Sequence, residues 1–137
     1  MWGNIWKWVD GINIHGNGSQ RGGVPYVCTD MNFSDTNTAN YESVGFTVAN
    51  TDGYAKYFGY GNEKYDWVFM TSTVDVSATN AIGDYLYRTT NLNGYRSALL
   101  GGKWSTSSSA GVFAWYLDNA ASTRGRVIGA RLMYIPS

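Results

Sequence analysis

The sequence predicts an α+β, strand-dominated domain of short antiparallel strands with one or two short helices. Three observations lead there. Aromatic and β-branched residues gather in short runs, which suits pleated, half-buried strands. Clusters of Gly, Asn, Asp and Ser break those runs at turn-like intervals. A single stretch carries the boundary signals of a helix. A chain of 137 residues suits one hydrophobic core, so residues 1–137 read as one domain.

The opening segment, Trp2 to Ile14, is rich in Trp, Ile and Val and is interrupted at Asp10-Gly11. Asp-Gly accepts the positive φ of a hairpin turn, which predicts two strands joined there. Residues 15–23 hold four glycines and no apolar side chain, so an exposed flexible loop is expected, with His15 in it. A strand follows at Val24–Cys28. The helix is expected between Ser34 or Asp35 as N-cap and Gly45 as C′ residue. Strands are then predicted at Phe46–Ala49, Tyr54–Tyr60, Asp66–Ser72, Asp84–Arg88, Tyr95–Leu100, Gly111–Asp118 and Arg126–Ile135. Alternation along Gly111–Asp118 puts Phe113, Trp115 and Leu117 on a core face. Val112, Ala114, Tyr116 and Asp118 fall on the opposite one, more polar toward its end.

Composition narrows the function. Lys+Arg and Asp+Glu are balanced at 10 each, so the strongly basic face of a nucleic-acid binder is not expected. Charged residues make up 15% of the chain and aromatics 16%, an apolar load that a disordered chain lacks. No apolar run approaches the roughly 20 residues of a membrane span and no signal peptide opens the chain, so membrane insertion is not expected. Cys28 is the sole cysteine, which removes an internal disulfide and a cysteine zinc site; its apolar setting reads as a buried, inert thiol. With His15 the sole histidine, one chain can build neither a histidine triad nor a multi-histidine metal site. No metal or cofactor is implied.

The charge balance hides a division. Nine of the acidic residues lie in 1–84, while six of the basic ones (Arg88, Arg96, Lys103, Arg124, Arg126 and Arg131) lie in 85–137. Internal pairing of the halves and a basic functional surface both account for it.

The most specific feature is Leu99-Leu100-Gly101-Gly102-Lys103-Trp104-Ser105, followed by Ala110-Gly111-Val112-Phe113 and Ile128-Gly129-Ala130-Arg131-Leu132. It resembles the C-terminal part of the C-type-lectin-like fold found in formylglycine-generating enzymes and bacteriophage adhesins. Paired glycines let two backbones approach, with Trp104 expected to pack beneath them and the Ile128 strand to close the sheet. The opening Trp6–Ile14 and the Asp66-Trp67-Val68-Phe69 run resemble phage proteins whose ends are similar to variable regions of diversity-generating retroelement targets. In that group the exposed positions of the scaffold change while its glycines, tryptophans and core residues stay. The resemblance covers residues 95–135 most closely. Two family chemistries are missing: no cysteine follows Cys28, and no Glu-Pro-Asn, Gln-Pro-Asp or Trp-Asn-Asp calcium motif occurs.

The resemblance implies a receptor-binding or adhesin module of a phage or prophage, carried on the virion tail and acting outside the cell. It implies no catalysis, and a bacterial surface protein or glycan as partner. Residues 95–135 would be the ligand-display half. The binding face implied is Tyr95, Ser105, Thr106, Ser107, Ser108, Tyr116, Asp118, Asn119, Ser122, Thr123, Arg124 and Arg126. This stretch is rich in Tyr, Ser and Asn, the mix that antibody loops use for adaptable contact. Two other classes stand beside it: a structural tail or decoration domain without ligand, and a carboxylate-based glycan-processing enzyme. The enzyme would draw on Asp30, Asp35, Glu42, Glu63, Asp66, Asp75 or Asp84, none in a recognisable motif. Trp2, Trp6 and Trp8 share strand parity and either cap the domain's own core or pack on a neighbouring copy, as in a homotrimer. The chain reads as the C-terminal part of a longer tail protein.

Overall fold

The computed structural model describes residues 5–18, 22–81, 84–88 and 92–130. Its strands are β1 (Trp6–Asn17), β2 (Val24–Cys28), β3 (Tyr41–Ser43), β4 (Gly53–Tyr60), β5 (Phe69–Asp75), β6 (Tyr85–Tyr87), β7 (Asn93–Leu100), β8 (Trp115–Tyr116) and β9 (Ile128–Gly129). They form one curled, mixed sheet in the order β3-β2-β1-β7-β8-β6-β4-β5, with β9 beside β1. The strand-dominated expectation holds. The short helices are 3-10 turns at Glu63–Tyr65, Ala78–Asn80 and Ser107–Ser109. The sheet is not purely antiparallel, because β6 pairs with β8 and β1 with β9 in parallel.

β1 sets the geometry. Val9 pairs with Ala98 of β7 and Asn13 with Ser97, so residues 10–12 are inserted opposite no β7 residue. An odd insertion reverses which side each parity faces. Trp6 and Trp8 therefore join a small cluster with Leu99 and Ala114 on the outer face. Ile12 and Ile14, of the same parity, enter the main core on the inner face. Gly11 makes the bulge, at φ +80°. The Asp10-Gly11 signal thus marked a positive-φ residue correctly, but it bends one continuous strand rather than joining two.

The inner face curls around the main core, to which Val27 of β2, Met70 of β5, Leu86 of β6, Ala98 of β7 and Trp115 of β8 all contribute. A strap at residues 44–50 closes the curl. Its Val44 and Val48 amides donate to the carbonyls of Pro25 and Gly23 at one end of the sheet, and Ala49 donates to Thr71 of β5 at the other. Both Val44 and Val48 are fully buried. The strand expected at Phe46–Ala49 is this strap, extended but outside the strand ladders, because its hydrogen bonds alternate between two different strands' ends.

Other expectations are corrected too. No helix forms between Ser34 and Gly45. There Ser34 Oγ accepts from the Thr36 amide and Asn37 Oδ1 from the Ala39 amide, the local side-chain bonding that competes with a helix. Tyr41 then opens β3 and its hydroxyl donates to the Ser34 carbonyl. His15 lies in β1, stacked on Tyr95 at 4.4 Å, and Gly22 and Gly23 are buried; residues 19–21 of the expected loop lie outside the described residues. Cys28 is half-buried, its thiol beside Asp30. Phe113 is 44% exposed, because the Ala114 amide donates to Gly111 in a turn that ends the alternation early; Trp115 and Leu117 keep their core face. Of the closing strand, Ile128–Gly129 is present and 131–135 lies outside the described residues, as does Trp2. No helix among the described residues is long and apolar enough to cross a membrane.

The bulge yields a stability prediction. A Cβ at Gly11 would require a left-handed residue and would stand 3.1 Å from Phe33. Gly11→Ala should cost about 1–2 kcal/mol in urea unfolding, while Gly11→Asn, which tolerates that conformation better, should cost less.

Candidate functional site

The outer face carries a strip of aromatic rings, and its sequence origin is simple. In β6, Leu86 is fully buried in the main core, so its neighbours Tyr85 and Tyr87 point outward. Tyr54 pairs with Tyr85 across β4, and Tyr116 pairs with Tyr87 across β8. Cross-strand partners share a face, and the bulge brings Trp6 onto it as well. Tyr54 and Tyr85 meet at 4.9 Å, and Tyr85 and Tyr87 at 4.6 Å. Trp6, Tyr87 and Tyr116 close a triangle with centroid distances of 5.6, 5.4 and 5.5 Å. Their planes are tilted by 89°, 54° and 53°, so the triangle forms a corner rather than a flat slot.

Two loops wall that corner into a recess of about 450 Å³. The first follows β7. Gly101 and Gly102 have φ of +101° and +79°, and a Cβ on Gly102 would stand 2.7 Å from Ala110, so this tight reversal admits little but glycine. Thr106 Oγ1 then donates to the Lys103 carbonyl at 2.6 Å and accepts from its amide at 3.2 Å, which holds Lys103 on the rim. The second wall is the segment after β8. The Ser97 amide donates to Asn119 and the Trp6 amide to Val127, fixing it near both ends. Asn119, Thr123, Arg124, Gly125, Val127 and Ile128 from this segment complete the lining with Trp6, Tyr87, Lys103, Thr106 and Tyr116.

The electrostatics are one-sided. The lining holds two cations and no carboxylate. Neither Lys103 nor Arg124 is in an ion pair among the described residues, whereas Lys56–Asp75 and Lys64–Glu42 are paired within the first 84 residues. Burial pushes the Tyr116 phenol above its ordinary range, with the Asp118 charge adding to the shift. The Asn119 amide beside it partly offsets this, yet Asn119 Nδ2 is buried without meeting an acceptor in good geometry. Behind the strip sits Arg88, 3% exposed. Its Nη1 donates to the Leu117 carbonyl, while Nε and Nη2 have no hydrogen-bond partner. Desolvation lowers its pKa to about 10, Asp118 raising it and Arg96 adding to the fall.

Of the twelve expected site residues, Thr106, Tyr116, Asn119, Thr123 and Arg124 line the recess. Ser105, Ser107, Ser108, Ser122 and Arg126 are exposed on its two walls' loops without lining it. Asp118 lies next to Tyr116 and within the electrostatic reach of Arg88. Tyr95 is apart, at the far end of β7 on His15. Trp104 does not pack beneath the glycines; it is 71% exposed. The sequence reading missed Tyr87 and Lys103 as site residues and took Trp6 only as a core or interface residue. The alternation Tyr85-Leu86-Tyr87 was the available signal for the first.

The carboxylates considered for catalysis are dispersed. Glu42 accepts from Lys64 at 2.7 Å and Tyr65 at 2.8 Å, and Asp84 accepts from the Phe113 amide at 2.8 Å. Asp35 shares a small recess of about 160 Å³ with Asp10, Trp8, Ser97, Ala121 and Ala130. No group of three or more His, Cys, Asp or Glu among the described residues is placed to hold a metal.

No family model, curated protein or solved structure matches this chain.

Asp52, whose charge acts on Tyr85 and Tyr116, supplies a pH test. Its Oδ1 accepts from the Arg88 amide, yet desolvation raises its pKa, with Asp118 contributing. A raised carboxylate pKa means the ionised form costs stability above it, and that cost is absent below the unfolded value near 4. Asp52→Asn keeps an acceptor for the amide. Its thermal midpoint should exceed wild type at about pH 7, and the difference should vanish by about pH 3.

Proposed function

We propose that this domain is a recognition module, the receptor-binding or adhesin part of a phage tail, which attaches to a bacterial surface protein or glycan. The observation that carries the reading is the recess itself. An aromatic corner on a rigid sheet is walled by two hydrogen-bonded loops and rimmed by unpaired donors. Its volume falls within the roughly 300–1,000 Å³ of small-ligand pockets. Apolar lining with a few convergent polar groups is the composition of a binding site, and side chains on strands hold such a site more firmly than mobile loops do.

The phage and C-type-lectin-like parts of the proposal rest on the sequence resemblance. The left-handed Gly101-Gly102 pair supports it, since Gly102 lies too close to Ala110 for a side chain there. The outward Trp104 and Phe113 depart from the expected packing. A binder is favoured over a glycan-processing enzyme because a general acid and base are needed within reach of one bond. The recess lining contains no carboxylate to serve as either.

The test separates binding from folding. Tyr116 packs in the outer cluster and is a poor probe, whereas Lys103, Thr123 and Arg124 stand on the rim. Lys103→Ala, Thr123→Ala and Arg124→Ala combined should shift the thermal midpoint by no more than about 4 °C. Attachment to host envelopes, measured by pull-down, should fall at least about tenfold. Ser107→Ala with Arg126→Ala should leave it unchanged. Undiminished attachment of the triple variant would remove the recess from the binding face.

A further inference from the structure

Resting on the recognition reading, we infer that the recess takes an acidic sugar: a glycan residue whose carboxylate or phosphate is held by Lys103 and Arg124 while its ring lies in the Trp6–Tyr87–Tyr116 corner.

Four features converge on that chemistry. First, the lining contains two cations and no anion, and neither cation is in an ion pair among the described residues. An unpaired cationic rim beside an apolar floor favours a group of opposite charge, and Arg offers a carboxylate or phosphate a forked pair of donors. Second, Asn119 presents a buried Nδ2 without an acceptor. Asn119 lines the recess, and a turn of its side chain would offer this donor to a ligand oxygen. Third, the floor is aromatic but bent, with planes 53–89° apart. A flat base or aromatic ring can stack on only one of these faces. A puckered sugar ring presents C–H groups in several directions and can meet the negative π-faces of more than one. Fourth, a recess of about 450 Å³ holds a group of small-ligand size. A protein partner alone would instead need about 800 Å² of surface on each side.

The carboxylates near the site refine the orientation. Asp118 and Asp52 act on Tyr116, and Asp118 also acts on buried Arg88, but neither lines the recess. Their charge bears on Tyr116, so a ligand's anionic group is favoured at Lys103 and Arg124 rather than at Tyr116. Ligand hydroxyls then fall near Tyr116 and Asn119.

The experiment uses the full chain on an array of bacterial capsular and wall oligosaccharides. Each glycan is printed as the native acid and as its neutral form, carboxyl-reduced or dephosphorylated. The expected result is retention of acidic glycans, with at least about tenfold weaker binding to their neutral forms. Carboxyl reduction and dephosphorylation tell which anion is read. Lys103→Gln and Arg124→Gln should each weaken the acidic glycan about 10–100-fold and narrow the gap between acidic and neutral forms. Lys103→Arg should retain most of the affinity. Equal binding of acidic and neutral forms overturns the inference. So does attachment to envelopes without retention of any glycan, an outcome that leaves the recognition reading standing with a protein receptor. Failure to attach to envelopes at all overturns the recognition reading itself.

Discussion

The structure depends on a strand of two residues. β8, Trp115–Tyr116, pairs antiparallel with Leu99–Leu100 of β7 and parallel with Leu86–Tyr87 of β6. Without it, β3-β2-β1-β7 and β6-β4-β5 would be separate half-sheets, each with an open edge. So short a strand cannot hold the halves by ladder bonds alone. Its two side chains point to opposite sides, and each is sunk in a cluster. Trp115 enters the main core and Tyr116 the outer cluster with Trp6 and Leu99. Leu117 extends the grip, fully buried and donating its amide to the Tyr87 carbonyl. Hydrophobic burial on both faces therefore fixes a junction that hydrogen bonds merely register. The recess sits on this junction, so the same contacts that close the sheet also hold its aromatic floor.

The bulge in β1 makes that double burial self-consistent. A regular strand would send Trp6, Trp8, Ile12 and Ile14 to one side. That side would be overfilled and the other would lose the aromatic base beneath Tyr87 and Tyr116. The inserted residues divide the apolar run between two clusters. They also give β1 two successive neighbours along one edge, β9 beside Trp6–Lys7 and β2 beside Ile12–His15. The wall that carries Arg124 is thereby anchored to the strand that supplies the floor.

Much of this was legible in the sequence where side-chain chemistry is local. β2, β4 and β7 fell close to their expected limits, because alternation and flanking turn residues define a strand without help from its neighbours. Trp115 and Leu117 were placed correctly for the same reason. The errors lie where one local signal serves two geometries. Asp10-Gly11 announces positive φ, which a hairpin and a bulge both use, and only the pairing with β7 decides between them. Ser34, Asn37 and their neighbours carry helix-cap chemistry, but the same side chains close turns without a helix. Phe46–Ala49 has the character of a strand and is used as a strap. Of the residues expected in the display segment, Thr106, Tyr116, Asn119, Thr123 and Arg124 come together around one recess. Tyr87 and Lys103 were not expected there, because their role follows from the parallel β6–β8 pairing and from the turn that Thr106 closes. The Tyr85-Leu86-Tyr87 alternation turns Tyr87 outward, but that it meets Tyr116 there follows only from the long-range pairing.

The charge balance acquires a spatial meaning on the outer face. Asp52 acts on Tyr85 and, with Asp118, on Tyr116, while Lys103 and Arg124 line the recess to which Tyr116 belongs. A low-polarity surface beside charged groups sustains their field better than open water would. Such a field adds little to the binding of a neutral group, but it gives an anionic one a direction. On the inference of an acidic ligand, its anion is favoured at Lys103 and Arg124 and its ring lies against the aromatic corner. Complementarity of this kind contributes orientation and selectivity more than raw affinity. The basic residues of the last part of the chain are not all used in internal pairing: Lys103 and Arg124 are in no ion pair among the described residues. Folding brings Lys103 and Arg124, both from the basic last part of the chain, to one recess whose lining holds no carboxylate.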